Sequence, residues 1–125
     1  MSTSDAHRVL ADAAAHALPN ALVEQLRRRG IPEPEREVML VPGRRYRWDL
    51  VWEGVKVCVE VQGGTWHSGA HSRGPGQRRD AEKANGAIVA GYKPFSCTSD
   101  MIHDQTFADM LADVLTRLGV AGGQG

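Results

Sequence analysis

Apolar and polar residues change rhythm twice along this chain, and each change marks a different kind of element. From Asp5 to Leu18 an alanine-rich stretch reads as a helix, with Asp5 placed to cap its first turn. Pro19 suits either the first turn of a second helix or a kinked continuation. Leu22, Val23 and Leu26 then form a helical stripe that stops at Arg27, Arg28, Arg29 and Gly30, basic residues followed by glycine. Ile31 to Pro34 is a stiff connector, because Pro32 and Pro34 cannot donate and push the preceding residues away from helix.

The centre of the chain switches to period two. Glu37 to Val41 reads as a first strand, followed by a turn at Pro42 and Gly43. In Arg45 to Trp52 one face carries Tyr46, Trp48, Leu50 and Trp52, and the other Arg45, Arg47, Asp49 and Val51. After Glu53 and Gly54, Val55, Val57, Val59 and Val61 alternate with Lys56, Cys58, Glu60 and Gln62. These two runs are expected as adjacent hairpin strands, each with one buried face. Gly63 to Gly76 is a polar glycine-rich loop, and Arg78 to Ala90 a helix stopped by Gly91. Tyr92 to Cys97 is a short strand whose Pro94 suits a sheet edge. Asp104 to Leu118 closes the chain as an amphipathic helix, with Phe107, Met110, Leu111, Val114, Leu115 and Leu118 on its apolar side. The order predicts an α/β domain with a mixed sheet of about four strands flanked by helices.

Length narrows this to one domain over residues 1–120, with 121–125 as a disordered tail. A hydrophobic share of 42% beside 24% charged residues is that of an ordinary soluble fold. No apolar run is long enough to cross a bilayer, and the first residues lack the basic and apolar segments of a secretory signal, so a cytoplasmic protein is expected. Cys58 and Cys97 lie in apolar stretches without a CxxC pair, which points to two buried thiols. The formal net charge is zero, yet Arg44, Arg45 and Arg47 cluster before Asp49, and Arg73, Arg78, Arg79 and Lys83 follow the glycine-rich centre. A balanced total therefore still allows a basic groove.

The strand pattern places candidate chemistry. Glu60 and Gln62 project from one face of one strand, about 7 Å apart. Asp49 lies on the neighbouring antiparallel strand, and an Asp and a Glu so placed can share one hard divalent cation. Glu37, at the start of the first strand, is a further candidate carboxylate. His67 and His71 in the loop titrate near neutrality and can pass protons or bind phosphate. Trp66 suits a cap on the core or a stack against a base, while Trp48 and Trp52 belong to the core.

The run Pro32-Glu33-Pro34-Glu35-Arg36-Glu37, then Arg44-Arg45-Tyr46-Arg47-Trp48-Asp49 and Val59-Glu60-Val61-Gln62-Gly63-Gly64-Thr65-Trp66, resembles a phage-borne branch of the PD-(D/E)XK nucleases. The likeness continues through His71-Ser72-Arg73-Gly74, Asp80-Ala81-Glu82-Lys83 and Gly91-Tyr92, and covers residues 20–103. The order of strand aspartate, loop histidine and later helix also resembles the very short patch repair endonucleases. The resemblance implies a restriction-endonuclease-like core and Mg²⁺-dependent hydrolysis of DNA phosphodiesters, with Mn²⁺ as the other metal such oxygen ligands accept. It makes Asp49 and Glu60 metal ligands and Gln62 the second motif residue, where the usual residue is lysine. Glutamine carries no positive charge and can only orient water or phosphate. Lys83 on the following helix, with Arg79 one turn earlier, is the candidate substitute. A loop histidine assists water activation by the same resemblance. The family's structural zinc is not carried over, because Ser72 and Arg73 stand where a cysteine is expected.

The expectation is a cytoplasmic endonuclease of phage or bacterial DNA processing, structure-directed or nicking, that contacts DNA through Arg45, Arg47, Trp66, Arg73, Arg78 and Arg79. Cleavage of branched DNA implies a homodimer with one site per strand, and no membrane or organic cofactor is expected. Two other readings predict different behaviour. A DNA-binding accessory protein with a lost active site follows from Gln62. A metal-binding module using His67 and His71 predicts zinc binding without DNA.

Overall fold

The computed structural model of the chain describes residues 2–62 and 75–120. Trp66, His67, His71 and Arg73, together with the predicted tail at 121–125, lie outside them. The elements run α1 (Thr3–Arg28), β1 (Glu35–Met39), β2 (Arg47–Trp52), β3 (Val57–Gln62), α2 (Pro75–Val89), β4 (Lys93–Thr98), α3 (Ser99–His103) and α4 (Thr106–Arg117). The architecture is α/β with a four-stranded mixed sheet in the order β1-β2-β3-β4. The first two pairings are antiparallel and β3–β4 is parallel, so α2 is the crossover between two parallel neighbours. Pro94 does fall on an edge strand.

Several element boundaries differ from the sequence pattern, each for a local reason. The amino-terminal helix is continuous through Pro19. Its cap is Ser2 rather than Asp5: the Asp5 N–H donates to Ser2 Oγ at 3.1 Å, and Asp5 becomes a first-turn acid. The first strand ends at Met39, two residues before Val41, because the chain is already turning toward Gly43. A single turn of 3₁₀ helix, Glu53–Val55, and a left-handed Lys56 delay the third strand until Val57. A short helix, Ser99–His103, precedes α4 and has no counterpart in the pattern. Within α4 the buried side is Phe107, Ala108, Leu111, Ala112 and Leu115, while Met110 and Leu118 stay exposed. Ala108 and Ala112 pack in the core beside Phe107, Leu111 and Leu115.

The expectation of one buried face per central strand is not met. Leu50, Val51 and Trp52 of β2 are all buried, as are Val57, Cys58 and Val59 of β3. The reason is that helices cover both faces. On one side Leu22 and Leu26 of α1, Ile102 of α3 and Phe107, Leu111 and Leu115 of α4 pack with Leu50, Trp52, Val57, Val59 and Cys97. On the other, Ala87 of α2 packs with Trp48, Val51 and Cys58. Trp48 and Trp52 are core residues as the pattern implied, and the Trp52 indole donates to the Pro32 carbonyl at 3.0 Å.

Trp48 and Val51 are three positions apart yet share one cluster, so strict alternation breaks between them. Asp49 sits in that break. Directly across, between the pairs Arg36↔Leu50 and Val38↔Trp48, Glu37 adopts a left-handed backbone with φ of 51°. A residue with a Cβ pays roughly 1–2 kcal/mol for that conformation. The β2–β3 ladder ends at Leu50↔Val59, one step before Asp49. The two central strands thus part where the candidate carboxylates lie.

Candidate active site

Where the ladder ends, the Asp49 side chain takes over. Its Oδ2 accepts the Val61 N–H at 2.7 Å, doing for β3 what a backbone carbonyl of β2 does elsewhere. Glu60 precedes Val61 on the same strand, so both carboxylates are anchored around one peptide unit of β3. Both residues are half-buried. Gln62 ends the strand and makes no side-chain hydrogen bond among the described residues.

Lys83 comes to this strand from α2. Ala87, one turn later on the same helix face, is fully buried, and its small side chain lets α2 lie close to the sheet. Lys83 is only 8% exposed, the single buried charged residue among those described. Its ammonium stands 3.0 Å from Glu60 Oε1, donates to the Arg47 carbonyl at 2.5 Å, and lies 4.8 Å from the centre of the Trp48 ring. A buried cation is tolerable only with such company: an anion, a carbonyl and an aromatic face. The site is therefore a half-buried carboxylate pair with a lysine held against one member.

The thiols sit beneath this charge. Burial pushes Cys58 up to about 12, eased by Lys83 and reinforced by Glu60. Cys97 is likewise pushed up to about 12 by burial, with Asp49 adding to it. Both are free and buried, which matches the sequence expectation and removes them as nucleophiles near neutral pH.

The remaining candidates lie at the margin. The Glu37 carboxylate is held by His16 at 2.6 Å and faces Arg47 at 3.7 Å. The His16 hydrogen bond keeps it below the usual carboxylate range. Among the described residues no three His, Cys, Asp or Glu side chains gather as a metal-binding group, so Glu37 does not join Asp49 and Glu60 in a three-carboxylate cluster. Arg45, Arg47, Arg78 and Arg79 are all exposed. Arg78 faces Glu82 at 3.8 Å, and Arg79 lies over the Tyr46 ring at 5.6 Å, with Arg44 at 5.9 Å from the same ring. The Arg47 carbonyl, the Trp48 ring and the Val61 N–H are parts of the site that alternation alone does not reveal.

The donor set suits a hard divalent cation. Asp49 Oδ1 and Glu60 Oε2 have no partner among the described residues, which leaves one oxygen of each carboxylate available. Mg²⁺ commonly takes one or two protein carboxylates and completes its shell with water and phosphate. No described helix is long and apolar enough to cross a membrane. Comparison of the chain with family models, with curated proteins and with solved structures gives no match.

Proposed function

We propose that the chain is a metal-dependent endonuclease of PD-(D/E)XK type that hydrolyses DNA phosphodiesters. The observation that supports it most is the lysine beside Glu60: the strand position next to the carboxylate is Gln62, and a buried Lys83 ammonium stands 3.0 Å from Glu60 Oε1. In this reading Asp49 and Glu60 would hold Mg²⁺ or Mn²⁺, and the bound metal would supply a lowered pKa for its water and polarisation of the phosphoryl group. Lys83 supplies the positive charge that Gln62 lacks, in a setting that shields it from bulk solvent. Gln62 orients water or a phosphate oxygen through its amide. Arg45, Arg47, Arg78 and Arg79, all exposed, clamp the sugar-phosphate backbone and add affinity without reading sequence.

A domain of this size offers little surface for reading many bases. The substrate class is therefore DNA of a particular structure, nicked or branched, in phage or bacterial DNA processing, and cutting both strands of a branch requires a dimer. The test is cleavage of labelled DNA in Mg²⁺ that chelator and Glu60→Ala both abolish.

One observation favours a second reading. Asp49 and Glu60 each already have a partner inside the fold, Val61 N–H and Lys83, and these bonds hold β2, β3 and α2 together without a metal. A DNA-binding accessory protein would keep them for that purpose. It predicts salt-sensitive binding that ignores chelator and yields no product.

A further inference from the structure

A concavity lies beside the chain segments that lead into Arg47 and Lys83. It is a cleft of about 530 Å³ between the turn that joins β1 to β2 and the outer flank of α2. That volume lies in the range of small-molecule sites. Its lining is largely apolar and includes Val41, Pro42 and Val89. Val89 is 88% exposed, so the cleft is open to solvent along α2. Gly86 lets the two walls approach, since a Cβ there would meet Val41 Cγ2 at 3.2 Å.

The rim is of a different character. Tyr46 is among its lining residues, and the guanidiniums of Arg44 and Arg79 lie over its ring at 5.9 and 5.6 Å from the centre. Asn85 and Glu82 also line it and offer donors and acceptors. The cleft is tied to the catalytic candidates through neighbours in the chain: Tyr46 precedes Arg47, Glu82 precedes Lys83, and Lys83 bonds the Arg47 carbonyl at 2.5 Å.

We propose that this cleft binds one unpaired nucleotide of a DNA strand whose backbone crosses the Glu60–Lys83 site. The inference rests on the nucleic-acid part of the function proposed above and narrows its substrate to DNA with single-stranded character. The apolar lining and the outer planes of the guanidiniums held on Tyr46 accept the face of any base. Asn85 and Glu82 meet the base edge, and Arg44 and Arg79 meet the flanking phosphates. A base inside a duplex cannot reach such a lining without leaving its stack.

The test is fluorescence anisotropy in chelator, with a labelled single strand of about 16 nucleotides, the upper end of what one small domain covers, and a duplex of equal length. Wild-type protein is expected to prefer the single strand on the order of 10-fold, within what one stacked base supplies. Tyr46→Ala and Ala90→Phe, the second filling the cleft from an exposed position, are expected to abolish the preference, and Tyr46→Phe to keep it. Circular dichroism of each variant checks its fold. Equal affinity of wild-type protein for both probes, or a preference that survives both variants, overturns the pocket. Cleavage of DNA without the preference removes the pocket and leaves the nuclease. A Tyr46-dependent preference without cleavage in any metal removes the nuclease and leaves the pocket.

Discussion

The Lys83 ammonium and the Glu60 carboxylate stand 3.0 Å apart, but their surroundings are unequal: the lysine side chain is 10% exposed and the glutamate 28%. Removing either partner strands the other, and a stranded charge costs more where water cannot reach it. The lysine is also tied to the Arg47 carbonyl and the Trp48 ring, whereas Glu60 has no other partner among the described residues.

Stability should therefore respond asymmetrically. Glu60→Ala leaves a buried ammonium without its anion and is expected to cost about 3 kcal/mol. Lys83→Met keeps the apolar stem over Trp48 and leaves a carboxylate that can hydrate, so its expected cost is nearer ~1 kcal/mol. Urea unfolding of the two variants measures the difference, and equal losses would remove burial of Lys83 as the cause.

Under the proposed function Asp49 has a catalytic job besides its bond to Val61, and two substitutions separate them. Asparagine retains an oxygen that can accept the Val61 N–H, so Asp49→Asn should fold with nearly wild-type stability while losing metal-dependent activity. Alanine leaves that N–H without its acceptor and is expected to cost about 1–3 kcal/mol as well. If both variants unfold at the same urea concentration, the strand-bridging role of Asp49 is wrong.

The fold was legible from the chain to the extent that alternation and helical stripes are local signals. The four strands and the crossover helix follow from Val57, Val59 and Val61 and from the glycine stops. Burial of both faces of β2 and β3 was not legible, because alternation puts Val51 on a face with Arg47 and Asp49 and Cys58 on a face with Lys56 and Glu60, and only α2 decides that they are covered. In the candidate site, Asp49 and Glu60 were visible from strand alternation, and Lys83 only through the resemblance that left Gln62 where a lysine is usual. The break in alternation at Asp49, and the carbonyl of Arg47 as a lysine partner, arise from strand parting and helix docking, which are long-range outcomes.

The thiols give a pH dependence of known sign. Both are raised by burial to about 12 from an ordinary value of 9.0. The folded state then holds two protons that the unfolded chain releases first, so their contribution is intact below pH 9 and is lost as pH rises toward 12. Native protein at neutral pH should react with neither thiol toward a disulfide reagent, and unfolded protein with both. Rapid labelling of Cys58 in the folded state would contradict its burial.

DNA binding should carry the signature of individual phosphate contacts. Arg45→Gln and Arg79→Gln, made separately at exposed positions, are each expected to weaken binding about equally for all sequences. Each should lower the slope of log affinity against log salt by about 1. A salt slope unchanged in both variants would place the DNA elsewhere on the surface.

The most direct measurement is cleavage of labelled linear, nicked, mismatched and four-way-junction DNA in Mg²⁺, in Mn²⁺ and in chelator. Wild-type protein, Glu60→Ala, Lys83→Met and Gln62→Ala would be compared on that panel. The account predicts metal-dependent cutting that Glu60→Ala abolishes, that Lys83→Met lowers on the order of 10²–10³-fold, and that Gln62→Ala reduces by less. Full cutting by Lys83→Met beside none by Gln62→Ala would contradict the role given to the lysine. Binding without cutting in any metal would contradict the nuclease itself.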